Sequence, residues 1–403
     1  MRSSRSATRT GRPTPTSSDR ADDTETGDAM RLEPVESHDP RAVLRGLRAA
    51  VLGAGPAIAL GGAGIAAPAP EVPAGTALVV TTSGSTGYPK SVVLSRAALT
   101  SGALATAARI GEGAWLLALP AGYIAGAQVL VRALVSGREP AILSGTFSPS
   151  AFAAAAAGMA SSAGGTRIPA YTSLVPAQVA TLLDSPEGAR ALASFEAVLV
   201  GGQALAPALA DRAAAAGARL VRTYGSSETA GGCVYDGVPL DGVGVRVAGG
   251  EVQISGPILA DGYLGDPDRT AAAFLHEGGT RWYRTGDAGA FDGALRVTGR
   301  VDNVIVSGGI NVSLDRVEAV VRTLPGLLAA VVVPVPDARW GEASVVVVDS
   351  DAELKAIRAA VAAALGAAAR PREVLRVDRI PLLPSGKPDR VTLRALANGG
   401  PVA

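Results

Sequence analysis

The sequence predicts an α/β protein of more than one domain, and three observations carry that expectation. A length of 403 residues, at roughly 100 to 200 per domain, implies two or three domains with real cores. From about residue 76, apolar or β-branched runs (77–80, 115–119, 195–200) alternate with Ala-rich stretches of helical character (95–110, 126–134, 207–216), the pattern of a largely parallel sheet flanked by helices. The texture then changes twice. Residues 242–301 hold short strands such as 251–255 and 295–298 between Gly and Asp turns, which predicts a small antiparallel or barrel-like unit. After Asp302, strand and helix signals at 317–322, 328–334, 343–348 and 354–365 predict a separate small α+β domain.

Composition narrows the function classes. Lys+Arg 37 nearly balances Asp+Glu 36, a net charge of +1, which argues against a nucleic-acid or anionic-membrane binder. A single cysteine, Cys233, excludes an intramolecular disulfide, and a reducing cytoplasm fits best. With only His38 and His276, multi-histidine metal sites and His dyads are excluded. The chain opens on Arg, Ser, Thr and Asp without the apolar run of a signal peptide, and the apolar stretch 51–70 is broken by glycines and by Pro56, Pro68 and Pro70. An Arg/Ser-rich start resembles a transit peptide, but Asp19, Asp22, Asp23 and Glu25 follow at once, so residues 1–30 read as a disordered tail. There is no internal repeat, and the Ala and Gly excess is general.

The motifs follow in chain order. Thr81-Thr82-Ser83-Gly84-Ser85-Thr86-Gly87-Tyr88-Pro89-Lys90 directly follows a strand-like segment, an arrangement that aims backbone N–H groups, hydroxyls and one ammonium at phosphate oxygens. It is not a Walker A loop: Tyr88-Pro89 separate Gly87 from Lys90, and 92–94 reads as another strand instead of a helix. The alternative is an ordinary polar hairpin. Only three lysines occur, Lys90, Lys355 and Lys387, against many arginines. Two of them sit in Gly/Ser loops, which points to a need for a compact ammonium there, chance being the alternative. Lys355 reads as solvated surface. Tyr224-Gly225-Ser226-Ser227-Glu228-Thr229 offers a loop carboxylate suited to Mg²⁺, which takes one or two carboxylates plus substrate phosphates. Tyr283-Arg284-Thr285-Gly286-Asp287 and Gly299-Arg300-Val301-Asp302 supply an aspartate that can accept both hydroxyls of a ribose and an arginine for hydroxyl or phosphate oxygens. Taken singly, each of these could equally be a turn with a surface ion pair.

Together and in this order, with Pro384-Ser385-Gly386-Lys387, these motifs make the chain resemble the adenylate-forming superfamily of acyl-CoA synthetases, over about residues 76–395. The resemblance implies doubly wound, parallel-type sheets in an N-terminal domain (31–301) that includes the barrel-like unit. It also implies a mobile C-terminal domain (302–403) that turns about a hinge near Asp302. It implies ATP, Mg²⁺ and CoA. A carboxylate attacks the α-phosphate to give acyl-AMP and pyrophosphate, and a thiol then displaces AMP. Thr82, Ser83, Gly84, Ser85, Thr86, Gly87 and Lys90 would hold the β- and γ-phosphates, and Glu228 the metal. Gly201, Gly202 and Gln203 would contact the adenine, and Tyr224 and Gly225 would also bind the nucleotide. Asp287 and Arg300 would bind the ribose. Lys387 would stabilise charge in the first step, and Ser307, Gly308 and Gly309 would approach CoA in the second. Thr86, Lys90, Glu228 and Lys387 are the expected catalytic set.

The segments 119–132 and 172–178 resemble those of the o-succinylbenzoate:CoA ligases of menaquinone biosynthesis. Their substrate is a dianion, and Tyr123, Arg132, Ser173 and Thr229 match positions facing it. Arg132 with Ser173 would receive the aromatic carboxylate, unless Arg132 simply ends an amphipathic helix facing solvent. Trp115, Leu174 and Val175 would wall the ring or be core. Tyr123 stands where that group usually carries histidine, and the segment before the phosphate loop is short, which implies a reduced first subdomain. The alternatives are another acid:CoA ligase or stand-alone adenylating enzyme, and a catalytically silent nucleotide-binding relative. Expected partners are small molecules and a second copy in a homodimer, with neither nucleic acid nor stable membrane insertion.

Overall fold

A computed structural model describes residues 29–61, 71–83, 89–159, 162–383 and 386–400. The expected tail, Gly84 to Tyr88 of the first motif, and Pro384 and Ser385 of the last lie outside the described residues.

The alternation of apolar runs and Ala-rich stretches produces a seven-stranded central sheet. Ala141–Ile142, Ala114–Leu117, Ala170–Leu174, Ala197–Val200 and Leu220–Ser226 run parallel in that order, and the antiparallel Gly231–Tyr235 and Val238–Pro239 complete it. The strands are apolar on both sides because both faces are covered. Trp115, Leu117, Tyr171 and Leu199 face one core, which is shared with the helices Arg96–Ile110 and Ile124–Val135. Leu116, Leu174, Val198 and Val200 face another, under the helices Pro149–Gly158, Pro176–Leu183, Pro186–Ala193 and Pro207–Ala215. Each of these four helices carries proline in its first turn, where the missing N–H costs nothing.

A second sheet of six lies across the first core and is only partly parallel. Met30–Pro34, Ala57–Leu60 and Thr76–Ser83 are parallel, but Pro89–Ser95 returns antiparallel to Thr76–Ser83, and Gly262–Tyr263 adds antiparallel beside it. The loop between the hairpin strands is too short for a parallel crossover, which needs a dozen residues or more. Strand character is expected at 92–94, and this reversal places Thr82 and Lys90 of the phosphate-loop motif on paired strands.

The turn-rich region forms the expected antiparallel unit, with Gly244–Ala248, Glu251–Ser255, Thr280–Phe291 and Phe274–Glu277 side by side and Leu295–Arg300 paired to Thr280–Phe291. Beyond it, Val304–Ser307, Ile310–Ser313, Val331–Asp337, Gly341–Val348 and Glu373–Arg376 build a separate five-stranded sheet. The helices Leu314–Val321, Leu354–Leu365 and Arg390–Ala397 pack on it, with their own apolar clusters on its two faces. Among the described residues no helix is long and apolar enough to cross a membrane.

Candidate active site

Strands of three sheets deliver the motif residues to one cleft. In the hairpin, Thr82 stands opposite Lys90 in the ladder, and the Lys90 ammonium reaches across to pair with the Glu228 carboxylate. Glu228 sits in the 3₁₀ turn Ser227–Thr229 after the last parallel strand and is 2% exposed. The turn doubles the chain back so closely that a Cβ on Gly225 would lie 2.0 Å from the Gly231 carbonyl oxygen, which only glycine allows. Tyr263 Oη donates to Glu228 Oε1 at 2.9 Å, and the Lys90 Nζ lies 5.2 Å from the Tyr263 ring centre. Burial raises the Glu228 pKa, but the Lys90 charge and hydrogen bond outweigh it and hold the carboxyl below its ordinary value. Among the described residues, Thr82 Oγ1 is buried with no partner.

Asp287 and Arg300 are cross-strand partners in the antiparallel unit. Tyr224 Oη donates to Asp287 Oδ2 at 2.6 Å, and Arg300 Nη1 lies 3.3 Å from Asp287 Oδ1. Burial pushes the Asp287 carboxyl up, opposed by Tyr224 and Arg300. Arg300 also forks onto Asp302 through Nε at 3.0 Å and Nη2 at 3.1 Å. Asp315 binds both sides of this crossing, accepting the Arg300 N–H at 2.7 Å and the Asn303 side-chain amide at 2.8 Å.

Lys387 arrives from the far end of the chain. Its Cε lies 3.7 Å from where a Cβ on Gly202 would sit, and Gln203 Nε2 donates to the Gly386 carbonyl at 3.3 Å. Gly202, at φ +81°, makes the turn that leaves this room. The residue keeps an open flank, yet the protein packed around its ammonium lowers the pKa. Asp287 and Glu228 oppose that shift, and Arg300 and Lys90 reinforce it. Lys387 therefore shares one electrostatic neighbourhood with four other motif residues.

The acid-facing positions divide. Arg132 is 6% exposed and Ser173 7%, so the alternative in which Arg132 faces solvent is wrong: its helix is buried on nearly all sides from Gly126 to Ala133. Ser173 and Tyr171 project from one face of their strand toward the Arg132 helix. Tyr171 packs on Trp115 with centroids 5.3 Å apart, and the Arg132 guanidinium lies 5.2 Å from the Trp115 ring centre. Among the described residues, Arg132 makes no ion pair, its Nε has no partner, and Ser173 Oγ has none either. Tyr123 precedes the same helix, half-buried, with no side-chain cap bond.

The remaining expected positions are engaged elsewhere in this orientation. Thr229 was expected to face the acid, but its hydroxyl accepts from Ser226 N at 2.8 Å and lies 2.7 Å from the Gly231 carbonyl oxygen, so it holds the turn. Leu174 belongs to the core on the opposite face of the sheet from Ser173, and Val175 packs toward Gly386 instead of lining a ring pocket. Ser307, Gly308 and Gly309 form an exposed hairpin turn whose contacts are with Trp340 and Gly341 of its own sheet, away from the cleft. Cys233 is buried and its thiol pushed up to about 12 by that burial, so it acts as a small apolar residue. Sequence reasoning missed Tyr263 and Tyr235, for which a lone aromatic after a glycine or valine gives no signal.

Set beside known proteins, residues 10–264 match the AMP-binding enzyme family and residues 316–387 the AMP-binding enzyme C-terminal domain. The chain belongs to the AMP-binding enzyme family. A probable 2-succinylbenzoate–CoA ligase of Mycobacterium tuberculosis is 45% identical to this AMP-binding enzyme over 332 residues, covering 79% of the chain and 83% of the relative. Among solved structures, the amide bond synthetase of Marinactinospora thermotolerans superposes with a TM-score of 0.70 at 30% identity, covering 84% of this chain and 72% of its own. The o-succinylbenzoate CoA synthetase of Bacillus subtilis, in complex with its acyl-adenylate intermediate, does so with 0.67 at 25% identity, covering 79% and 69%. The fold of this AMP-binding enzyme is thus the α/β architecture with a C-terminal domain that its motifs imply.

Proposed function

We propose that the chain activates o-succinylbenzoate with ATP, releasing pyrophosphate, and transfers the acyl group to CoA, a step of menaquinone biosynthesis in the cytoplasm. The observation that carries this reading is Arg132, a buried arginine with no acidic partner among the described residues. An uncompensated buried charge is costly, and a substrate with a second carboxylate would relieve it, with the orphaned Ser173 hydroxyl as a further donor. The 45% identity to a probable 2-succinylbenzoate–CoA ligase supports the same substrate.

The succinyl carboxylate would attack the α-phosphorus directly as an anion. Its oxygen forms the new P–O bond while the bond to the bridging oxygen of pyrophosphate breaks, so no general base is required. Thr82 and Lys90 would hold the phosphates, Asp287 the ribose, Gly201 to Gln203 the adenine, with Tyr224 and Gly225 also on the nucleotide, and Lys387 the charge spreading over the reacting oxygens. Among the described residues no cluster of three or more His, Cys, Asp or Glu is placed to hold a metal. A single buried carboxylate, Glu228, fits Mg²⁺, which completes its shell with phosphate oxygens and water. Bound Mg²⁺ would neutralise phosphate charge, and Lys90 would have to release Glu228 to admit it. A unit of residues 302–403 turning about Asp302 would then bring Ser307, Gly308 and Gly309 to the CoA thiol, and the chain would work alone or as a homodimer.

The test supplies purified protein with ATP, Mg²⁺ and o-succinylbenzoate, benzoate, medium-chain fatty acids or amino acids, with and without CoA, reading pyrophosphate and thioester mass. The expected result is pyrophosphate release dependent on o-succinylbenzoate and formation of its CoA thioester. Turnover of a monocarboxylate instead would keep the adenylation chemistry and overturn the substrate. Nucleotide binding without turnover of any acid would make the chain a silent relative.

A further inference from the structure

We propose that Tyr235, backed by Thr106, is a positioning residue that holds Arg132 through neutral groups only and so leaves its charge available to the acid. The inference rests on reading Arg132 as the receptor of the substrate's second carboxylate. Tyr235 is 2% exposed and Thr106 fully buried. Thr106 Oγ1 donates to the Gly102 carbonyl at 2.8 Å and lies 2.9 Å from Tyr235 Oη. A hydroxyl has one proton, so with that of Thr106 committed to Gly102, Tyr235 is the donor in the second contact. Its oxygen keeps its lone pairs for the Arg132 Nη2–H, 3.3 Å away.

The row has a direction: Arg132 donates to Tyr235, Tyr235 to Thr106, and Thr106 to a helix carbonyl. Donors in such a row polarise one another, which makes the Tyr235 oxygen a better acceptor. A carboxylate in the place of Tyr235 would hold the guanidinium more tightly but would cancel the charge. Trp115 supports the flat face of the guanidinium in the same way, by attraction that involves no counter-ion. What remains is an Nε–H without a partner among the described residues, fixed in place and free to donate.

Tyr235→Phe keeps the ring and removes only this hydroxyl. A hydrogen bond to a charged group is worth about an order of magnitude in a buried site, so KM for o-succinylbenzoate should rise roughly tenfold, with kcat and the KM for ATP within about twofold of the parent. The preference for the diacid over its aromatic methyl ester, which lacks the second charge, should narrow by the same factor. Thr106→Val should act in the same direction more weakly, and the double variant should be no worse than Tyr235→Phe alone, because both changes cut one row. Thermal melting checks folding, and Thr106→Val carries the test if Tyr235→Phe does not fold. If Arg132→Ala loses the preference for the diacid while Tyr235→Phe keeps it, or if the two relay changes add in full, the relay is wrong and the reading of Arg132 stands. If Arg132→Ala keeps the preference, that reading itself fails.

Discussion

Lys90 and Glu228 are 138 positions apart, yet they form the most deeply placed ion pair of the cleft, with side chains 27% and 3% exposed. Each was legible in the sequence as a charged residue in a Gly/Ser/Thr loop. Their pairing was not, because it depends on how the second sheet lies across the central one. Lys90→Met would leave the buried carboxylate without its counter-ion, Tyr263 still donating to it, a loss of about 3 kcal/mol by analogy with other broken buried pairs. The folded-state pKa of Glu228 lies below its ordinary value of 4.5. The pair's contribution is therefore complete above that value and disappears as the pH falls through the lower folded one. Urea unfolding of parent and variant should show the full difference near about pH 7 and a shrinking one toward acid. A difference independent of pH would mean that lost packing, not the ion pair, accounts for it. The same limit of sequence reading applies to Arg132, whose residue type is visible at once but whose burial follows from a helix packed on nearly all sides.

At the scale of elements, most of the α/β body could be read directly. The Glu251–Ser255 strand and the Leu354–Leu365 helix have the limits their periodicity predicts. The Arg96–Ile110 helix begins one residue after its expected start, because Ser95 is the cap: its Oγ accepts the Ala98 N–H at 3.1 Å. Ser95→Ala removes that acceptor and should cost about 1 kcal/mol, read as a lower melting temperature with unchanged KM for ATP and acid. A larger loss together with impaired KM would show that the helix start also positions the hairpin strand that carries Lys90. The elements that escaped include two long helices, Pro40–Leu52 and Pro149–Gly158, and several short strands. Ala57–Leu60 is four residues without a period, and Gly262–Tyr263 is a two-residue strand recognisable only by the edge it joins. That small strand is what sets Tyr263 against Glu228, so the least legible element places a residue of the site.

For the whole molecule, the order of motifs was legible because each carries its own chemistry, whereas their convergence is a property of three sheets and of how the C-terminal unit is set against them. Lys387 and the Ser307 to Gly309 turn belong to that same unit, but only Lys387 is in the cleft, held by the contacts of Gly386 with Gln203 and Val175. If both serve the reaction, they do so at different times, and the chain must turn between them at the crossing where Arg300, Asp302, Asn303 and Asp315 meet. The observed orientation is then the one for the first step. Lys387→Ala should slow pyrophosphate release by about a hundredfold or more, the scale of removing one preorganised charge-stabilising group, while thioester formation from supplied acyl-adenylate and CoA stays near the parent rate. Rapid-quench measurement of each half-reaction separates the two. Equal loss of both steps would place Lys387 in the cleft throughout and remove the reason for any rotation about Asp302.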